Sequence, residues 1–168
     1  SGEVGAVETR RFPDGETYLR LLSSVEGRCV DIVATLAGPD PDFLRLAFTA
    51  DAARAQGAKR VRLVAPYLAY MRQDKAFHPG EAVTSDSFAR LVSSLFDGLV
   101  TVDPHLHRRA ALSDLYTIPA AAVQAAPAGG KVTLGGYEQI RHRDRYVVMT
   151  VSDTGAGIAP GTSEKIFN

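Results

Sequence analysis

Two short polar stretches carry most of the chemistry this sequence can offer. Arg72, Gln73, Asp74 and Lys75 follow the apolar run Val61–Tyr67, and Asp103, Pro104, His105, Leu106, His107 and Arg108 follow the apolar run Leu99–Val102. A guanidinium, an ammonium, carboxylates and imidazoles in that combination suit an anionic, metal-bound ligand such as a polyphosphate. Arginine forks onto phosphate oxygens, and an aspartate or histidine helps hold a divalent cation. In an open parallel sheet such residues belong at the carboxyl ends of neighbouring strands, where a rigid sheet presents them to a crevice.

The elements needed to hold them there can be read from pattern. Val7–Phe12 and Thr17–Leu22 flank Pro13-Asp14-Gly15 and predict a β-hairpin or flap. Val30–Leu36 is a short apolar run suited to a sheet covered on both faces. Asp40 before Pro41 reads as an N-cap, with Leu44, Ala47, Phe48, Ala52 and Ala55 on the buried face of a helix that Gly57 closes. Thr84 or Ser85 caps a second helix with the stripe Phe88, Leu91, Val92, Leu95 and Phe96. The strand-helix-strand-helix-strand order should wind right-handed into a parallel sheet. The segment 120–126 reads as a short helix or a linker. Beyond it, 131–134 and 146–151 predict a hairpin around a solvated basic loop at 141–145.

With 168 residues, 19 basic and 19 acidic, the chain is long enough for a real core and carries no net charge. That balance argues against nucleic acid and acidic membranes as partners. The lone cysteine, Cys29, is expected to be a small buried hydrophobe, in keeping with a reducing cytoplasm. No run approaches the ~18 to 20 apolar residues of a membrane span. The opening Ser1-Gly2, without methionine, reads as a remnant of tag cleavage.

Phe12-Pro13-Asp14-Gly15-Glu16, Pro66–Lys75 and Asp103–His107 together resemble the N-terminal half of ribose-phosphate pyrophosphokinase, over roughly residues 7–119. That family transfers a diphosphate group from magnesium-ATP to the anomeric hydroxyl of ribose 5-phosphate. The resemblance implies a three-layer, phosphoribosyltransferase-like α/β fold with a parallel sheet and a hairpin flap, here with extra C-terminal strands. It implies that Phe12, Asp14 and Glu16 line the adenine site of an adjacent subunit. It further implies that Arg72, Gln73, Asp74 and Lys75 hold nucleotide and phosphates, and that His105, with Asp103, helps place magnesium. A homo-oligomer follows from the same resemblance. The family's opening strand and helix have no counterpart here, nor does its second half with the ribose 5-phosphate cradle.

A second stretch, Ala126–Leu134 with Val151–Ile158 and Ile166-Phe167, resembles the ATP-binding domain of sensor histidine kinases. There Asp153 would accept a hydrogen bond from the adenine amino group, and Gly155 and Gly157 would let backbone approach the base. The two resemblances imply a recombined, artificial chain divided into residues 1–122 and 123–168, the second segment packed on the first. The expectation is absent or vestigial catalysis, with weak binding of nucleotide, phosphate or sulfate. The alternatives are an active phosphotransferase and a regulatory module that docks on such an enzyme.

Overall fold

The computed structural model describes residues 3–123, together with the backbone of 132–141 and 144–153. It divides into two compact units, Ser1–Ala122 and Val123–Asn168.

In the first unit, β1 (Val7–Arg11) and β2 (Thr17–Leu21) form the expected antiparallel hairpin. Gly15 supplies the turn's positive φ of 92°, and Asp14 Oδ1 accepts the Glu16 N–H at 3.1 Å. A four-stranded sheet follows, in the order β3 (Cys29–Val33), β4 (Arg60–Ala65), β5 (Gly98–Val102) and β6 (Ala120–Val123). β3, β4 and β5 are parallel. They are joined by α1 (Pro39–Ala55) and α2 (Thr84–Leu95). The segment read as a helix or linker at 120–126 therefore contributes a sheet strand instead. Leu99 N–H donates to Pro119 O at 2.9 Å just ahead of β6, and this sheet pairing outweighs alanine's helical preference.

Both crossovers step in the same direction across the sheet, so right-handed connections put both helices on one face. The strand register agrees. Val30, Ile32, Val61, Leu63, Ala65, Leu99 and Thr101 share one face, and most of them join Leu46, Ala50, Ala53, Phe88, Ala89, Val92 and Phe96 in a single core. Cys29, Asp31, Val33, Arg62 and Val64 point the other way. Among the described residues no helix covers that face, where Cys29 is exposed and Val33 is 56 % exposed. Of the three expected layers, the described residues supply the sheet and one helical layer. The expectation of a buried Cys29 and of a β3 covered on both faces is corrected, because the run alternates between faces rather than burying both.

Three helical expectations also shift. On α1 the buried face is Leu46, Ala50 and Ala53, whereas Leu44 and Phe48 are exposed beside the hairpin. No side chain caps α1, which starts two residues earlier than expected, at Pro39, with Gly38 as N-cap. Neither Thr84 nor Ser85 caps α2, whose N-cap is Val83, and Leu91 faces outward. Gly57, at φ 84°, does follow the end of α1 as expected.

In the second unit β7 (Val132–Arg141) pairs antiparallel with β8 (Asp144–Asp153), with Val132 opposite Asp153 and Arg141 opposite Asp144. The hairpin is as expected, but its strands are longer: β7 runs on through Gly135 and Gly136, and Arg141, Asp144 and Arg145 are strand residues rather than loop. Its two-stranded sheet is separate from the four-stranded one.

Candidate functional site

The two polar stretches sit where the pattern places them, after the ends of adjacent parallel strands. Past β4 the chain does not run straight out to solvent. Leu68, Ala69 and Met71 are buried, so the loop is anchored in the core immediately before Arg72. Burying residues on both sides of Tyr70 requires a sharp backbone turn, and Tyr70 takes φ 59°, a left-handed conformation that costs a bulky residue about 1–2 kcal/mol. Two contacts hold it there. Its ring lies 4.9 Å from that of Phe88 on α2, and its hydroxyl donates to Asp40 on α1. Asp40, expected as a helix cap, is thus the acceptor that ties α1 to this loop. That bond is the main cause of the raised Tyr70 pKa, followed by burial and the Asp40 charge.

The end of β5 mirrors this arrangement. Asp103, the first residue after Val102, has φ 38°. Tyr70 and Asp103 are the only non-glycine residues with positive φ among the described residues, and they follow neighbouring strands. Backbone strain at paired strand ends marks a place where surrounding structure fixes the chain against its local preference.

The side chains divide into free cations and tethered groups. Arg72 is exposed, with no ion pair among the described residues. The Lys75 ammonium stands 4.8 Å over the ring of Phe77, and the Arg108 guanidinium carbon is 5.9 Å from the same ring. Gln73 O accepts the Ser85 N–H at 3.2 Å, fixing the loop to the start of α2. Asp74 is engaged within the protein. Its side chain is only 7 % exposed, and its Oδ1 is 2.7 Å from Arg108 Nη1, so its carboxylate serves as a tether for an arginine. Arg109 makes a parallel bridge to Asp86 of α2, also at 2.7 Å. Together the two bridges pin the loop after β5 to the loop after β4 and to α2.

His105 and His107 are exposed, their rings edge-to-face with centroids 3.7 Å apart. Among the described residues no three His, Cys, Asp or Glu side chains gather to cage a metal. Asp103 and His105 suit magnesium in a different way, since that ion keeps water and phosphate oxygens and takes one or two protein ligands.

Phe12, Asp14 and Glu16 are exposed on the hairpin turn. No hydrogen bond or ion pair joins them to Arg72–Lys75 among the described residues. Phe12 stacks edge-on to Tyr18 at 6.0 Å, with the Arg10 guanidinium carbon 4.9 Å from the Phe12 ring and 4.1 Å from Tyr18. Asp153 is the last residue of β8, while Gly155 and Gly157 lie outside the described residues. No helix among the described residues is long and apolar enough to cross a membrane.

Sequence reasoning assigned no role to Arg109, Phe77 or the Asp40–Tyr70 bond. The partners of Arg109 and Asp40 are 23 and 30 residues distant, so no periodic pattern announces them. Arg108 falls within a quoted motif, but its bond to Asp74 is not a motif property.

Parallel strands joined by helices, with cations, aspartates and histidines following two adjacent strand ends, define the class as a parallel α/β protein whose polar loops lie beyond the carboxyl edge of its sheet. Residues 2–95 match the family described as the N-terminal domain of ribose phosphate pyrophosphokinase, and the chain belongs to that family. It is similar to the ribose-phosphate pyrophosphokinase of Methanopyrus kandleri, with 39 % identity over 154 residues covering 92 % of this chain and 50 % of that protein. The counterpart from Saccharolobus solfataricus is 40 % identical over 101 residues, 59 % of this chain and 35 % of that one. In three dimensions it resembles the phosphoribosylpyrophosphate synthetase of Mycobacterium smegmatis, with a TM-score of 0.64 at 26 % identity, covering 73 % of this chain and 41 % of that one. The chain thus spans no more than half the length of these relatives. The Methanopyrus kandleri match, at 154 residues, is longer than the first unit with β6, so it reaches into the stretch that resembles histidine kinases. The comparisons support the synthetase resemblance and lend none to a histidine-kinase segment or a recombined chain.

Proposed function

We propose that this chain is the nucleotide-gripping half of a ribose-phosphate pyrophosphokinase, binding magnesium-ATP at the ends of β4 and β5. The observation that carries the reading is the pair of left-handed residues, Tyr70 and Asp103, in two cation-bearing loops that follow neighbouring strands. Diphosphoryl transfer needs no protein nucleophile. It needs cations and fixed donors on the polyphosphate and an in-line acceptor. On this reading Arg72 forks onto phosphate oxygens, Lys75 adds a point charge, Gln73 donates a hydrogen bond, and His105 with Asp103 shares a magnesium otherwise held by phosphate and water. Magnesium, when bound, neutralises developing charge on the transferred group. Asp74 acts indirectly, by fixing Arg108. Phe12, Asp14 and Glu16 belong to the adenine site of a second copy, which makes a homo-oligomer part of the proposal.

The acceptor sugar phosphate needs a second oxyanion cradle, and the sequence contains no Asp-Asp with Thr-Gly-Thr to provide one. Turnover by this chain alone is therefore expected to be absent or vestigial, since unpositioned reactants forgo about 7–11 kcal/mol of proximity. Its division at residue 122 into a nucleotide-binding unit and a β-hairpin unit belongs to the same proposal.

Calorimetric titration with magnesium-ATP tests the reading. Saturable binding weakened at least tenfold by Arg72→Ala is expected, and equal binding by that variant would refute it. An assay for AMP release with ribose 5-phosphate separates binding from catalysis. Turnover at the rate of an intact synthetase would refute the half-site reading.

A further inference from the structure

Between the hairpin and α1 lies a cavity of about 90 Å³ lined by Thr9, Arg10, Arg11, Thr17 and Arg45, none of which belongs to the Arg72 or His105 loops. Thr9 and Arg11 alternate along β1 and so share a face, and Thr17 is the cross-strand partner of Arg11. That face turns toward α1, because Leu21, two steps further along β2 from Leu19, packs against the core. The Arg10 side chain leaves from the opposite face, where it stacks on Phe12 and Tyr18, so Arg10 contributes wall rather than charge.

Two guanidiniums and two hydroxyls therefore surround a space with no carboxylate in its lining. Each guanidinium has five N–H donors. Arg11 Nη1 donates to Gly15 O at 3.3 Å, and Arg45 Nη1 to Asp42 Oδ1 at 3.1 Å, a pair with both partners about two-fifths exposed. Most donors are left over, and two like charges facing one cavity repel until an oxyanion sits between them. A wider groove shares Arg11 and Thr17 with it; Pro41, Leu44 and Phe48 form its apolar side, and Asp14 and Glu16 of the hairpin turn also line it, as carboxylates that can meet hydroxyls of a ligand's organic part. Leu44 and Phe48 are large apolar side chains left 55 % and 40 % exposed there.

We propose that Thr9, Arg11, Thr17 and Arg45 form a second phosphate site, distinct from the Arg72 loop, with room along Leu44 and Phe48 for the organic part of a phosphate monoester. None of these four residues is among those proposed to hold magnesium-ATP, so the two readings can fail separately, although the groove shares Asp14 and Glu16 with the flap proposed to serve a second copy.

Titration of the full chain with inorganic phosphate, followed by NMR of arginine side chains and backbone amides, reads the site directly. Saturable shifts at Arg11, Arg45, Thr9 and Thr17 are expected, unchanged by Arg72→Ala and weakened at least tenfold by Arg11→Gln with Arg45→Gln. A parallel titration with AMP separates the sources. Tighter binding of AMP that Phe48→Ala abolishes assigns the groove to an ester, and equal binding assigns the cavity to inorganic phosphate, both within the proposal. Shifts that never saturate, that chloride reproduces, or that fall only on Arg72, Lys75 and His105 would overturn it. Because the wild-type shifts need no variant, they decide the question even if the double substitution misfolds.

Discussion

Arg108 Nη1 meets Asp74 Oδ1 at 2.7 Å, joining two loops that follow different strands, and the carboxylate is almost buried while the arginine remains half exposed. The asymmetry matters. Removing the arginine strands a desolvated charge, whereas removing the carboxylate frees a solvated one. Arg108→Ala should cost about 1–3 kcal/mol, and Asp74→Asn less. Urea denaturation of both single variants and the double variant gives the coupling. If the double variant's loss equals the sum of the singles, the pair does not act as a unit.

Asp97 should be a stability element that fails in acid. Its carboxylate accepts Arg54 Nη1 at 3.1 Å, Arg54 Nη2 at 3.0 Å and the Val61 N–H at 2.7 Å, fastening the end of α1 to the start of β4. Burial alone would raise its pKa, but these donors and the nearby Arg60 lower it overall. The contribution is complete above the ordinary aspartate value of about 4 and disappears as pH falls through the lower folded value. Asp97→Ala leaves the Val61 N–H unsatisfied and should cost about 1–3 kcal/mol at neutral pH. The variant's deficit should shrink toward zero in acid, as followed by thermal melts across pH.

Tyr70 should titrate above the ordinary tyrosine value. Its hydroxyl donates to Asp40, which stabilises the protonated phenol. The stability it adds is present below the ordinary tyrosine value of about 10 and is lost as pH rises through the folded value. Ultraviolet titration should show a late phenol that Asp40→Asn brings back toward normal. An unchanged titration curve in that variant would mean the bond does not hold in solution.

Thr101 offers a stabilising substitution. Its side chain is 1 % exposed on the helix-covered face of β5, and Oγ1 has no hydrogen-bond partner among the described residues. A valine there keeps the shape and removes the stranded hydroxyl, so Thr101→Val should gain about 0.5–2 kcal/mol. A loss of stability in chemical denaturation would show that the hydroxyl is satisfied.

Much of the site was legible because strand-end chemistry is local. The apolar runs Val61–Tyr67 and Leu99–Val102, each followed closely by charge, are properties of contiguous residues, as is the Pro13-Asp14-Gly15 turn. They determined the parallel order, the hairpin and the neighbouring positions of Arg72 and His105. Which face each strand or helix buries was not legible in the same way. Leu44 and Phe48 have the hydrophobicity for a core and the wrong angle for it, and Cys29 alternates out to solvent, because the choice of face depends on which neighbour arrives from elsewhere in the chain. Asp40 and Asp74 make the same point for polar groups. Asp40 has a plausible local task as a cap, yet the fold engages it with Tyr70 instead, and Asp74 meets Arg108, a partner that no local pattern announces. Local pattern determines what a residue can do. Only packing decides what it meets, because contacts between residues about 30 positions apart depend on the arrangement of every element between them.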